Sequence, residues 1–476
     1  MLPMKFSQLA LWVVLLLAIT LPRFTDLNRF ITGDEKRWQA NVAGFTMKLA
    51  HGRIGELLQQ PHPGITTQWF ASPGIWQESW AGKKIPLIIA QSILLLFAGY
   101  LIGRLWGKSA GILGTIILAL HPPLIAHTRV YAMDSLLAIF VLISLLSLLV
   151  WNKKQKTRYL AYAGCAAALA ALSKLPGILL MLYEILAIAW LVRHLQWNDR
   201  IKKIGIYLAS FVAASILVLP SLLVRPLGVL GDMKEFFFSE DYTVLHQYGP
   251  MYYIGTLIFL STPIFIAALL AAFIHPAIIR RKKDIIFLLL FALAFTATMS
   301  IGAKKGDRYI LPALLILETC AVYAIAQVWK KKHAKAGAML LVAAGALQII
   351  NLAQMHPYYL AYVNPIAKPW IGNRQLGWGE GLDVAAKYIN KKSDSEHLSI
   401  ATYYSTQSED LFQGSVAPLH QWDSGSHDYA IVYRAMYGRS ADAWETDVLN
   451  QFKAKTPEKT IFINGIAYIW IYSLKE

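Results

Sequence analysis

This sequence predicts a mainly α-helical, polytopic membrane fold that ends in a small water-exposed α/β domain, and three observations predict it. Apolar residues fill 56% of the 476 positions and charged residues only 15%, against roughly 25% charged in an average soluble domain. The apolar residues fall in charge-poor runs of about 17–25, the length that crosses ~30 Å of hydrocarbon at 1.5 Å per residue. Beyond residue 355 the runs give way to short helical and β-rich stretches separated by turn residues.

About eleven spans follow from these runs, over 6–24, 85–104, 109–127, 132–151, 159–174, 176–193, 204–224, 252–274, 285–302, 309–329 and 336–355. The first run is long for a signal-peptide core and lacks a small-residue cleavage site, so it reads as a retained helix. With the N-terminus in the cytoplasm, Arg104/Lys108, Lys153–Arg158, Arg193–Lys203, Arg280–Lys283 and Lys330–Lys335 fall in short loops on the inner side. That is the side that basic loops favour. The stretch 159–193 is short for two spans, but Ser173-Lys174-Leu175-Pro176-Gly177 reads as a turn, because proline clashes with a continuing helix. The net charge of +17 is thereby assigned to helix orientation rather than to nucleic acid. Cys165 and Cys320 both lie within apolar runs and support neither a disulfide framework nor a cysteine metal site.

Two regions fall outside the membrane on the extracytoplasmic side. Segment 25–84 holds an amphipathic helix from Asp34 to about His51, with Trp38, Val42, Phe45 and Leu49 on one face. After the last span, helix signals at 380–391 and 441–453 alternate with β-rich runs at 397–404, 428–436 and 459–474. Asn464-Gly465 marks a two-residue hairpin turn within the last run. The division is a transmembrane domain over 1–355, including loop 25–84, and an α/β domain over 356–476. No internal repeat is present, so the inverted-repeat signature of many transporters is missing.

Charged residues then gather at one rim. Asp34-Glu35 follows the first span, where acids either complement a helix N-terminus or act as a general base at the membrane–water boundary. His127-Thr128-Arg129 through Asp134 forms a tight outer loop, and Lys304-Lys305-Gly306-Asp307-Arg308-Tyr309 puts three cations on the face that basic residues avoid. Lys174 and Arg225 add two more. Outer cations serve as snorkelling anchors or hold a phosphate at the membrane surface, where arginine offers bidentate geometry. Transfer of a sugar from a lipid phosphate requires both kinds of group. Cations stabilise the leaving phosphate, and a carboxylate activates the incoming nucleophile.

In order and content these motifs resemble the C-type, membrane-embedded (GT-C) glycosyltransferases, within them the protein O-mannosyltransferase and aminoarabinose transferase group. Gly33-Asp34-Glu35 is similar to that group's first-loop acidic pair, and His62-Pro63-Gly64 to its His/Lys-Pro-Pro element, with Gly64 departing from the second proline. Thr128-Arg129 with Asp134, Ser173-Lys174-Leu175-Pro176, and Arg308-Tyr309 with Pro312 resemble three further elements, so that the likeness covers about 1–330. It implies a polyprenyl or dolichyl phosphate sugar donor, with Asp34 as the acceptor-binding base. It also implies Lys174, Arg308, Tyr309 and Lys304 at the lipid phosphate, and Glu35, His62, Arg129 and Asp134 positioning donor or acceptor. The partners are that donor, a lipid, glycan or protein acceptor, and membrane lipids. The place is the cytoplasmic membrane, with the site and C-terminal domain on the extracytoplasmic side.

The loop's Glu35, His51, Glu56, His62 and Glu78 could be set beside the divalent ion that some aminoarabinose transferases hold. Their spacing does not put ligands on one helical face, and no metal or other cofactor is assigned. Glu184 and Glu318 fall ~12–14 Å inside their spans at 1.5 Å per residue. Acids at that depth support the alternative reading, a proton-coupled polyprenyl-lipid transporter or flippase, unless they only bond neighbouring helices. A third reading is a non-catalytic membrane scaffold.

Overall fold

A computed structural model describes residues 6–58, 63–237, 248–274, 282–302, 305–329, 345–346, 348–372, 374–423, 425–438 and 443–475. The N-terminal body is helical: α1 (Phe6–Phe24), α2 (Glu35–Ala50), α3 (Ile65–Ala71), α4 (Trp80–Trp106), α5 (Lys108–Leu120), α6 (Pro122–Thr128) and α7 (Asp134–Lys154). It continues with α8 (Thr157–Ser173), α9 (Ile178–Leu191), α10 (Trp197–Val218), α11 (Ser221–Val224), α12 (Pro226–Phe237), α13 (Tyr252–Leu260), α14 (Pro263–Ile274), α15 (Lys282–Ile301) and α16 (Leu311–Trp329).

Among the described residues five helices are long and apolar enough to cross a membrane, or up to seven if each of two bent pairs is one span. Two shorter apolar helices, Leu9–Phe24 and Leu175–Leu191, stand beside them. Half of the span expected at 336–355 falls outside the described residues, as do residues 280–281 and the basic run 330–335. Helix α7 is the hub: it is apolar all round, and its most apolar window is entirely buried, the pattern of a helix enclosed by others. It packs against α4, α8 and α16. By contrast, only 11% of the α10 window is buried, and Val212 and Leu217 face outward.

Two of the expected spans are broken. The run 109–127 bends by 66° between α5 and α6, and 252–274 bends by 110° between α13 and α14. A proline stands at each break. His121 is extended directly before Pro122, as the residue preceding proline is driven from the α region, and Ser261 is extended where α13 ends, with Pro263 opening α14. The turn at Lys174 does divide 159–193. Lys174 is extended (φ −158°, ψ 141°), and Leu175–Gly177 form a 3-10 turn before α9.

Helix α2 is amphipathic as its spacing predicts, with Trp38, Val42 and Phe45 buried. In the C-terminal region, α17 (Leu382–Ile389), α18 (Ser405–Ser408) and α19 (Ala443–Lys453) surround five strands, β1 (Ser399–Thr402), β2 (Ser415–Pro418), β3 (Tyr429–Tyr433), β4 (Lys459–Ile463) and β5 (Ile466–Ser473). Residues 441–442 of the helix expected at 441–453 lie outside the described residues. The sheet order is β2-β1-β3-β5-β4, parallel from β2 to β3 and antiparallel from β3 to β4. Asn464 (φ 51°) and Gly465 (φ 66°) make the β4–β5 turn, as the right-handed twist of a two-residue hairpin requires.

Candidate active site

Four charged side chains from four separate segments meet in one network. Asp34 sits at the start of α2 and Asp134 at the start of α7, where acids complement the helix dipole. Lys174 occupies the α8–α9 turn, and Arg308 the 3-10 turn Asp307–Ile310 that leads into α16. The Lys174 ammonium lies 2.6 Å from Asp134 Oδ1, and both side chains are buried. Arg308 bridges the two acids, with Nη2 3.1 Å from Asp34 Oδ2 and Nε 3.6 Å from Asp134 Oδ2. Arg37 approaches the other Asp34 oxygen at 3.3 Å. Asp34 and Arg308 keep 24% and 25% of their side-chain surface exposed, so the network opens to solvent on their side and is closed on the Lys174–Asp134 side.

Aromatic rings complete it. The Tyr309 ring lies under Lys174, 3.9 Å from the ammonium, and the Trp378 ring covers the Arg308 guanidinium at 4.1 Å. Trp378, within Gly377-Trp378-Gly379-Glu380-Gly381, was not among the residues that the sequence placed at the site. His127, on α6, is buried as well. Its Nδ1 is buried without a hydrogen-bond partner. A histidine preceding Thr128-Arg129 was visible in the sequence, but helix position alone did not set it apart.

Other charged residues named from the sequence do different work. Glu35 is 1% exposed and accepts hydrogen bonds from the Thr32 and Tyr131 N–H groups at 2.7 and 2.9 Å, with Lys84 Nζ 2.8 Å away. It pins the start of α2 to the loop before α7, and with Lys84 and Arg129 it lines a small cavity of about 20 Å3. Arg129 donates to the carbonyls of Pro22 and Thr25 at 2.8 and 2.6 Å. Beside it Arg23 donates to Thr128 Oγ1 at 2.7 Å. Thr128-Arg129 thus clamps the end of α1, and of that motif only Asp134 reaches the network. Lys305 caps α15 through the carbonyls of Ser300 and Gly302, Arg225 pairs with Asp232, and Asp307 accepts from Tyr252 and Arg374. His62 and Lys304 lie outside the described residues.

Gly64 and Thr66, which follow His62 in the chain, are tied to the Lys174 turn. Gly64 N–H donates to the Ser173 carbonyl at 3.1 Å, and Thr66 and Ser173 share a 2.6 Å hydroxyl contact. Gly64 has φ +55°, and a Cβ there would stand 2.3 Å from the Trp38 ring. Proline, whose φ is fixed near −65°, has no place at this position.

For a metal, the described residues of the loop do not gather as a set. Glu35 is occupied by two N–H groups and Lys84, and His51 Nδ1 lies 2.7 Å from the Met47 carbonyl of its own helix. Among the described residues no three His, Cys, Asp or Glu side chains gather as a metal set.

The mid-span acids stand apart from the rim. Glu184 Oε2 accepts from Ser144 Oγ and Tyr207 OH, both at 2.8 Å. Glu318 Oε1 lies 2.6 Å from His121 Nε2 at the α5–α6 bend. That pair lines an apolar cavity of about 120 Å3 with Leu120, Thr262 and Phe265.

Against known proteins, residues 72–223 match the model of the family described as dolichyl-phosphate-mannose-protein mannosyltransferase. That stretch contains Asp134 and Lys174, but neither Asp34 nor Arg308. No curated protein sequence matches the chain. Among solved structures it is similar to ArnT from Cupriavidus metallidurans bound to undecaprenyl phosphate, at 14% identity and a TM-score of 0.54, covering 99% of this chain and 100% of that one. The apo state of the same protein is similar at 15% identity and a TM-score of 0.52, covering 98% and 99%. The chain therefore has the GT-C fold of membrane-embedded glycosyltransferases, with residues 72–223 matching the dolichyl-phosphate-mannose family within it.

Proposed function

We propose that this protein transfers a sugar from a polyprenyl-type phosphate to an acceptor at the extracytoplasmic surface of the cytoplasmic membrane. The observation that carries the reading is the network of Asp34, Asp134, Lys174 and Arg308, assembled from four distant segments and open only at Asp34 and Arg308. A bundle needs no such arrangement for stability, since taking ion pairs out of water costs about as much as their attraction returns. The ArnT neighbour is described with undecaprenyl phosphate bound, a ligand of the chemistry that these cations suit.

In this reading the donor phosphate takes up the Arg308 guanidinium, which exchanges its contact with Asp34 for phosphate oxygens, while Lys174 supports the same charge from below. Asp34 is then free to accept the proton of the acceptor O–H or N–H. The new bond forms between the acceptor atom and the anomeric carbon as the bond from that carbon to the phosphate oxygen breaks. The polyprenyl phosphate leaves with its added charge held by Arg308 and Lys174. Asp134 orients both cations. Glu35 positions Asp34 indirectly, by fixing where α2 begins. About eleven spans, a transmembrane domain over 1–355 and an α/β domain over 356–476 belong to the same proposal.

Two measurements test it. Native mass spectrometry of the purified protein should find a co-purifying polyprenyl phosphate or its glycoside, and neither binding nor transfer of any such lipid would remove the reading. A cysteine at Ser426, which is exposed, should be labelled by a membrane-impermeant thiol reagent in intact cells. Labelling only after permeabilisation would reverse the sidedness.

A further inference from the structure

We propose that the C-terminal domain completes the site by supplying Trp378 as the residue that positions Arg308, so that donor recognition depends on how this domain is seated. The inference rests on Arg308 as the phosphate ligand proposed above.

Segment Gly377-Trp378-Gly379-Glu380-Gly381 is cast in one shape. Its glycines have φ of +92°, +124° and +85°. A Cβ on them would stand 2.6 Å from the Tyr433 ring, 2.5 Å from the Ile31 carbonyl and 2.7 Å from Ile463. Tyr433, on the central strand β3, holds the segment from beneath. Its hydroxyl accepts from the Gly379 N–H at 3.2 Å and donates to the Glu380 carbonyl at 2.8 Å. The fully buried Glu380 carboxyl turns back to accept from the Trp378 N–H. On the other side the Trp378 carbonyl accepts from the Gly33 N–H at 3.1 Å, and Gln407 donates to the Gly33 carbonyl at 3.2 Å. Gly33 directly precedes Asp34.

Trp378 is therefore fixed by its backbone at both ends, between the sheet and the first loop. Its ring is left to cover Arg308 at 4.1 Å. Without that ring, a guanidinium that is a quarter exposed would have solvent over its face and several rotamers open to it. With the ring in place, the planar fork is held in the direction of Asp34 and Asp134. Stacking leaves the in-plane N–H donors free for phosphate oxygens. The C-terminal domain thus acts on the donor site through one side chain.

The test is a double-variant cycle on purified protein in nanodiscs, reading affinity for undecaprenyl phosphate. Trp378→Leu, which keeps apolar bulk but removes the π face, should weaken binding about three- to thirtyfold. Trp378→Phe should restore most of it. In an Arg308→Ala background the Leu change should have no further effect, because the residue through which it acts is gone. Tyr433→Phe, which loosens the segment without touching the site, should give a smaller loss that also vanishes in that background. Wild-type affinity in both Trp378→Leu and Tyr433→Phe, with weak binding in Arg308→Ala, would overturn the inference and leave the functional reading intact. Additive losses in the double variants would also overturn it. Wild-type affinity in Arg308→Ala would remove the functional reading itself.

Discussion

The rim network and the mid-span acids are built on opposite plans. At the rim, two acids share two cations across four segments, and Asp34 and Arg308 stay a quarter exposed. Within the bundle, Glu184 is fully buried against two hydroxyls, and Glu318 is buried beside one imidazole. A shared and accessible network can exchange partners when a phosphate arrives. An acid already bonded to α7 and α10 holds helices together. Charge alone makes both regions functional candidates in a membrane chain, and the partner geometry separates them.

The largest expected effect is at Asp34. Asp34→Asn keeps shape and removes basicity, and should cut turnover about 10²–10⁴-fold, the usual contribution of a general base. The variant should still fold and still bind the donor lipid. Transfer and lipid binding measured in one nanodisc preparation check this, and full activity would remove Asp34 from the mechanism.

Arg308 comes next. Losing a charge-assisted hydrogen bond costs about 1.5–3 kcal/mol, or roughly ten- to a hundredfold in affinity. Arg308→Ala should weaken undecaprenyl phosphate binding by that factor. Arg308→Lys should recover only part of it, because a point charge replaces a planar fork. Unchanged affinity in the Ala variant would make the rim cations anchors and collapse the contrast between the two regions.

Glu35 tests the rim from inside. Asp34 and Glu35 are adjacent in sequence, yet one is open and the other is 1% exposed. Glu35→Gln leaves Lys84, itself 4% exposed, as an unpaired buried charge, a loss of about 3–5 kcal/mol in comparable cases. The expected result is a marked fall in melting temperature, with turnover per folded molecule reduced less than in Asp34→Asn. Thermal unfolding beside a transfer assay distinguishes the two. A stable Glu35→Gln protein without activity would make Glu35 a participant in the chemistry.

Much of this was legible in the sequence, for identifiable reasons. Asp34, Lys174 and Arg308 stand out because charges next to apolar runs need an explanation. The Lys174 turn and the Asn464-Gly465 hairpin carry local signals in proline and glycine. Pro122-Pro123 after His121 carries a helix-breaking signal of the same kind, whereas the bend at Pro263 went unread because hydropathy averages across a proline, so that run looked continuous. Strand β2 is only four residues long, ends in Pro418 and lies at the sheet edge, where proline is tolerated, so its pattern is too short to show. Arg129 resembled a ligand, yet its N–H groups answer the carbonyls that end α1. Trp378 was hidden because its role depends on tertiary contact between segments 70 or more residues apart.

The smallest expected effect is at Glu184, and it bears directly on the transporter alternative. Glu184→Gln keeps the side-chain length and one carbonyl oxygen, so Ser144 Oγ and Tyr207 OH can still donate to it. The other carboxylate oxygen has no hydrogen-bond partner, and the amide group would occupy that place. A neutral hydrogen bond contributes about 1 kcal/mol, and here both are retained in kind. Transfer activity should therefore stay within about twofold of the unaltered protein, with a small change in melting temperature. An acid that carries protons must lose and regain its charge, and glutamine cannot do so. Loss of function in Glu184→Gln, with an unaltered melting profile and wild-type behaviour in Asp34→Asn, would move the working site from the rim into the bundle and favour proton-coupled lipid transport. Activity retained in Glu184→Gln and lost in Asp34→Asn would assign the bundle acid to helix packing and the rim acid to catalysis.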